Sequence, residues 1–260
     1  MSAAQPGQAA RQPARQLALP LPFAASHDPA DLLEDRSNQA ALAWLRRPQD
    51  WPGGRLALFG PAATGKTHML RGLAAARGWP VLEGPRLRGL AALRGMPEVP
   101  PGPGLAVDDA DCAAEEEALL HLLNLCAEGG QAVLLAGREA PARWPVALPD
   151  LRSRLRAMTA VAVLPPSDSL LAALLQKHFT DRQLRVDPGV QAWLLPRLPR
   201  EAAAVAEAAA RLDRAALATG GRLTRSLARA ALADLPGFGA TDDDSTPEQD
   251  GGSTSTPRLL

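Results

Sequence analysis

Apolar residues along the chain fall into two rhythms. Short apolar runs, bounded by Gly, Pro or an acid, recur at 56–59, 79–82, 105–109, 131–136 and 159–164. Their length and Leu, Val and Ala content suit strands buried on both faces. Between them, apolar residues spaced by three and four predict helices at 31–47, 68–77 and 114–127, with Ser37 as an N-cap inside the first and a short helix within 84–95. Five strands alternating with helices predict a parallel sheet wrapped by helices, an α/β fold. Pro165 and Pro166 close that pattern. Beyond them only helical spacing remains, at 167–180, 187–195, 200–218 and 223–233. The predicted layout is an N-terminal tail at 1–28, an α/β domain at 29–165, a small all-helical domain at 166–235 and an acidic tail at 236–260. Both tails lack the apolar content to build a core, and disorder is expected there.

Composition narrows this picture. The 260 residues are 46% hydrophobic but only 3% aromatic, with no Tyr, so the core must pack on Leu, Val and Ala. Twenty-eight basic residues balance 28 acidic ones. With no global basic field, direct sequence-specific DNA binding is not expected. Cys112 and Cys126 lie outside any C-x-x-C spacing and read as small apolar residues of a reducing compartment, which predicts a cytoplasmic protein. No run reaches the roughly 18 to 20 apolar residues of a membrane span. Residues 16–25 follow Arg11 and Arg15 as a signal peptide's apolar segment would, but Pro20 and Pro22 interrupt them. The scattered His27, His121 and His178 match no motif.

The chemistry concentrates at 55–67, RLALFGPAATGKT. Gly60, Gly65, Lys66 and Thr67 fit G-x-x-x-x-G-K-[ST] between a predicted strand and a predicted helix. Glycines let backbone N–H groups curl around phosphates, Lys66 reaches the β/γ-phosphates, and the Thr67 hydroxyl can ligate Mg²⁺. A phosphate would sit at the helix N-terminus, where unpaired donors and the dipole favour an anion. ADP or ATP with Mg²⁺ is the expected ligand. The run at 105–109 ends in Asp108 and Asp109. Asp108 at a strand's C-terminal end would hold Mg²⁺, and Asp109 would polarise the attacking water. A plain strand-to-turn cap is the competing explanation of those acids.

Gln16, Leu17, Leu19, Pro20 and Leu21 form a second candidate site. One amide and spaced Leu anchors, on a backbone that Pro20 keeps extended, suit an apolar pocket on a partner. A strand-like lead-in packing on its own domain would explain the same residues.

The local words carry a resemblance. The phosphate loop, the double-Asp strand end and the helical domain behind the sheet look like an AAA+ protein. Residues 65–70, GKTHML, are similar to the phosphate-loop exit of the bacterial replication initiator DnaA, which brings His68 into the nucleotide site. Ser37 and Asn38 resemble that initiator's Ser-Asn box, in a region lying by the adenine. Residues 149–155, PDLRSRL, look like its arginine-finger box, and 198–201, LPRE, like its sensor-2 segment. The peptide QLALPL at 16–21 resembles the motif by which bacterial proteins bind the sliding clamp of DNA polymerase. A clamp motif ahead of an AAA+ core, without the initiator's DNA-binding domain, resembles the Hda family of regulatory inactivators of DnaA. The likeness spans about residues 16–233.

What this resemblance implies is a protein seated on the clamp that stimulates hydrolysis of initiator-bound ATP, preventing re-initiation. It implies Arg154 as an arginine finger acting in trans, with Arg152 or Arg156 as alternatives. Arg200 would be sensor 2, or else a helix-surface arginine. At 135–138, Leu-Ala-Gly-Arg departs from the small polar or acidic sensor-1 residue of the family. That departure predicts weak hydrolysis by the chain itself. Its partners would be the clamp and DnaA, with self-association open. An autonomous ATPase such as a helicase loader, and a nucleotide-independent clamp adaptor, are the competing functions.

Overall fold

The computed structural model describes residues 32–88, 102–220 and 222–239. The candidate peptide at 16–21, the predicted N-terminal tail, most of the short helix expected within 84–95 and the acidic tail from 240 on lie outside the described residues. In chain order come α1 (Gln39–Leu45), β1 (Arg55–Phe59), α2 (Lys66–Arg77), β2 (Val81–Glu83), β3 (Gly104–Asp108), α3 (Glu116–Glu128), β4 (Ala132–Gly137), α4 (Pro149–Arg156) and β5 (Thr159–Ala162). Four further helices follow: α5 (Asp168–Asp181), α6 (Pro188–Leu194), α7 (Ala202–Thr219) and α8 (Arg225–Leu232).

All five strands pair in parallel, in the order β2-β3-β4-β1-β5. The central strands are covered on both faces, so alternate residues serve two cores. Leu56 and Leu58 face a layer containing Leu70, Leu73 and α1, while Ala57, Val133 and Leu135 face α3 and α4. Two of the few aromatics, Trp51 and Trp79, meet edge to face at 5.9 Å and close the first layer. Full burial of each Leu contributes about 1.5–3 kcal/mol. Cys126 lies in the second layer with no exposed surface, and burial pushes its thiol up to about 11.

Helices α5 to α8 build a separate cluster around Phe179, Leu175, Leu194, Val205 and Leu212. Side chains start three of them: Ser167, Asp187 and Thr224 accept backbone N–H bonds at the first turns of α5, α6 and α8.

One predicted start is corrected. Helix α1 begins at Gln39 rather than at residue 31, and Ser37 makes no capping bond to it. The reason is local competition. Asp35 Oδ1 accepts the Ser37 N–H, and the Asn38 side chain accepts from Asp35 N and donates to the Leu33 carbonyl, folding residues 33–38 into a turn.

Phe179 is 1% exposed and anchors the helical cluster. Phe179→Ala is expected to destabilise it by about 3–5 kcal/mol, measured by urea unfolding followed by circular dichroism.

Candidate functional site

The site is assembled where β1 and β3 end. Strand β1 runs into the loop at 60–65, and Gly60 passes so close to β5 that a Cβ there would lie 2.1 Å from the Val163 carbonyl oxygen. Only a glycine fits. The loop then bends through Ala63, at φ 60, and Gly65, at φ 92, before α2 begins at Lys66. A β-carbon in the left-handed region at Ala63 costs about 1–2 kcal/mol.

Lys66 is nearly buried, and its ammonium donates to the carbonyls of Gly60 at 2.8 Å and Pro61 at 2.7 Å. Burial pushes its pKa down, and Asp111, Asp109 and Asp108 push it back up. One residue on, the Thr67 hydroxyl donates to Asp108 Oδ1 at 3.1 Å, joining the start of α2 to the end of β3. Asp108 is 3% exposed, and Arg71 lies one helical turn beyond Thr67 with Nε 3.9 Å from Asp108 Oδ2. The Arg71 guanidinium also pairs with Glu83 at 2.6 Å, at the end of β2. Asp109 is exposed at φ 47, and its N–H donates to Asp108 Oδ1. His68 is half-buried beside Thr67.

The residue missed in the sequence is Asp111. Its Oδ2 accepts the Arg138 N–H at 2.7 Å, across the end of β4. Asp111 Oδ1 is buried without a hydrogen-bond partner. The signal was the third acid of D-D-A-D, three residues past Asp108.

Ser37 and Asn38 reach the flank of the loop. The Leu164 N–H donates to the Ser37 carbonyl, while the Val163 N–H donates to the Phe59 carbonyl beside Gly60. A second seam runs from here to the helical cluster. Asp35 Oδ2 accepts from Ser167 Oγ at 2.7 Å and from Ser169 Oγ at 3.3 Å. Arg200 pairs with Asp168 at 2.7 Å on the same seam, between two exposed side chains.

Arg154 lies in the last turn of α4. The segment leading into α4 is fixed from two sides: Glu116 accepts from Ala147 N and Leu148 N, and Arg152 Nε donates to the Val146 carbonyl. That contact occupies Arg152. Arg154 is half-buried and makes no hydrogen bond or ion pair among the described residues. Arg156 is exposed.

The arrangement has the chemistry of a phosphate and magnesium site. A buried ammonium sits at the mouth of α2, where a chain of phosphates can meet both the cation and the helix N-terminus. Thr67 and Asp108 present hard oxygens to Mg²⁺, and the orphaned Asp111 oxygen calls for a donor such as water. Among the described residues no three His, Cys, Asp or Glu side chains converge to hold a metal by themselves. A magnesium ion here would keep water and phosphate oxygens in its shell, as that ion usually does. Among the described residues no helix is long and apolar enough to cross a membrane.

No family model matches the chain. Its fold is matched by domain III of the replication initiation protein DnaA from Thermotoga maritima, with TM-score 0.67, 16% identity, and 82% of this chain and 98% of that one covered. The AMPPCP-bound DnaA from Aquifex aeolicus gives TM-score 0.55 and 16% identity, over 68% of this chain and 61% of that one. RuvB from Thermotoga maritima, a Holliday junction branch migration motor, gives 0.57 and 15% identity, over 76% and 66%. At these identities the likeness shows the fold alone: the chain shares the α/β fold of DnaA domain III and RuvB, with a five-stranded parallel sheet.

The hydrogen bonds from Ser37 and Ser167 hold the Asp35 carboxyl down at about 2, against an ordinary value of 3.8. The ionised form is therefore favoured by folding. Its contribution is complete above pH 4 and disappears as pH falls towards 2. The stability gap between wild type and Asp35→Asn is expected to narrow over that interval, read from thermal unfolding midpoints at successive pH values.

Proposed function

We propose that the chain is a nucleotide-binding regulator of replication initiation. Anchored to the DNA polymerase sliding clamp through Gln16, Leu17, Leu19, Pro20 and Leu21, it stimulates hydrolysis of ATP bound to the initiator DnaA and so prevents re-initiation. The observation that carries this reading is the pairing of a complete phosphate site with an unengaged, half-buried Arg154 on a braced helix. The clamp-like peptide names the anchor, and the AAA+ fold shared with DnaA supports a client of the same architecture.

In this reading residues 29–165 form the nucleotide domain, 166–235 the lid, and the flanking segments tails. Gly60, Gly65, Lys66 and Thr67 cradle the phosphates of ADP or ATP. Thr67 and Asp108 hold Mg²⁺, which supplies charge neutralisation at the phosphates. His68 belongs to the same helix start, and Ser37 and Asn38 shape the flank near the base. Arg200, released from Asp168, reports the nucleotide to the lid. Asp109 polarises water from its solvent-open position.

Arg154 acts on the neighbour's nucleotide. Phosphoryl transfer gains chiefly from charge stabilised as it develops, and an arginine supplied in trans is worth about 10³ to 10⁵ in rate. A half-buried arginine without a partner is already partly desolvated and held in few rotamers, which lowers the cost of aiming it.

Two experiments test the reading. With DNA-loaded clamp, the wild-type chain is expected to accelerate ATP hydrolysis by the cognate initiator, and Arg154→Ala to remove about 10³-fold or more of that stimulation. An initiator indifferent to the protein would leave the client wrong. The double substitution Leu19→Ala with Leu21→Ala is expected to abolish clamp binding in a surface-plasmon assay, and undiminished binding would sink the anchor.

The intact Thr67–Asp108 pair favours a second reading, an autonomous ATPase such as a helicase loader. Substantial turnover by the isolated chain, lost in Lys66→Ala, would replace the first reading with this one.

A further inference from the structure

Three carboxylates end near the phosphate loop, and they are not equivalent. Asp108 is committed to Thr67. Asp109 is open to solvent. Asp111 is set between β3 and β4, with one oxygen on the Arg138 N–H and the other buried and unpaired.

The room for Asp111 comes from strand β4. A Cβ on Gly137 would lie 3.1 Å from Asp111 Cγ and 2.9 Å from the Trp144 ring, so a side chain there would press on both. The missing side chain of one strand end is thus filled by a carboxylate from the neighbouring strand's loop. Asp111, with Asp109 and Asp108, raises the Lys66 pKa against the larger effect of burial. The adjacent Cys112 thiol is raised by burial, by Asp111 and Asp109 and by its weak hydrogen bond to the Asp111 side chain, and so weak a donor leaves the acceptor capacity of the buried Oδ1 largely unused.

An unpaired buried carboxylate oxygen is costly unless something donates to it when the site is in use. Among the described residues no side chains are gathered closely enough to enclose a metal, which would leave its coordination to phosphate oxygens and waters, and those waters are donors. We propose that Asp111 is a positioning residue, whose free Oδ1 accepts a hydrogen bond from a water ligand of the nucleotide-bound divalent cation. This rests on the nucleotide reading above. It adds an outer-shell residue for the metal, reaching it through water and drawn from outside the G-x-x-x-x-G-K-[ST] loop and the β3 strand end.

The test is nucleotide affinity of the full chain, followed with a fluorescent ADP analogue in excess EDTA and at saturating Mg²⁺. Asp111→Asn keeps an acceptor for Arg138 N–H but loses the charge, and Asp111→Ser is a second neutral variant with an acceptor. Both are expected to lose about 10-fold or more of the affinity that Mg²⁺ adds, with metal-free affinity unchanged or tighter. Glu117→Gln, on the exposed side of α3, is expected to keep the full Mg²⁺ gain. A purely structural role for Asp111 would weaken binding equally with and without metal, and that result overturns the proposal. So does an Asp111→Asn variant with the wild-type Mg²⁺ gain, or a wild type whose affinity ignores Mg²⁺. If the wild type binds no nucleotide in either condition, the nucleotide reading falls and this inference with it.

Discussion

Strand β4 lies between β1 and β3, and the contact that joins the loop after β1 to the end of β3 has to bridge that gap. The helix leaving β1 must cross β4 to reach the far half of the sheet, and α2 packs on both β3 and β4 as it does so. That crossing carries Thr67 from the loop side to the end of β3, where it meets Asp108. The crossing is possible because Gly60 turns tightly against Val163 on the opposite side. A ligand crevice outside the carboxyl ends of parallel strands is where α/β sheets generally place their chemistry. Here the strand order, more than any single side chain, brings cation and carboxylates together.

The seam beside the site has a different character. Its contacts are polar and partly open to water: Asp35 to Ser167 and Ser169, Arg200 to Asp168. The clusters on either side of it are almost wholly apolar. Exposed ion pairs contribute little to stability, about 0–1 kcal/mol, and rearrange readily. The seam can therefore change partners without disturbing either apolar cluster.

Much of this was legible in the chain. The strand positions followed from apolar runs closed by Gly or acid, and the phosphate loop from spacing alone. The helices of the second cluster followed from apolar spacing, and the structure adds Ser167, Asp187 and Thr224 as caps of three of them. What escaped were contacts between residues distant in sequence or turned back locally. Asn38 bonds backward to Asp35 and Leu33, so the helix begins later than periodicity suggests. Asp111 looked like one more acid until β4 placed Gly137 beside it. Glu116 lies in the first turn of α3, and its carboxylate holds the segment entering α4, more than thirty residues on. Side-chain destinations across a sheet depend on register, which no local pattern encodes.

The two thiols carry a practical consequence. Cys126 is sealed in the layer under the sheet with its pKa pushed up to about 11, and Cys112, though exposed, is raised by burial of its sulfur and by neighbouring carboxylates. The reactive species in alkylation and oxidation is the thiolate, so access and proton affinity together set reactivity. Cys126 is closed to solvent as well as shifted up, whereas Cys112 is exposed and is the thiol that a maleimide can reach. A cysteine introduced on an exposed helix face would label against a low background once Cys112 is replaced, with Cys126 left in place.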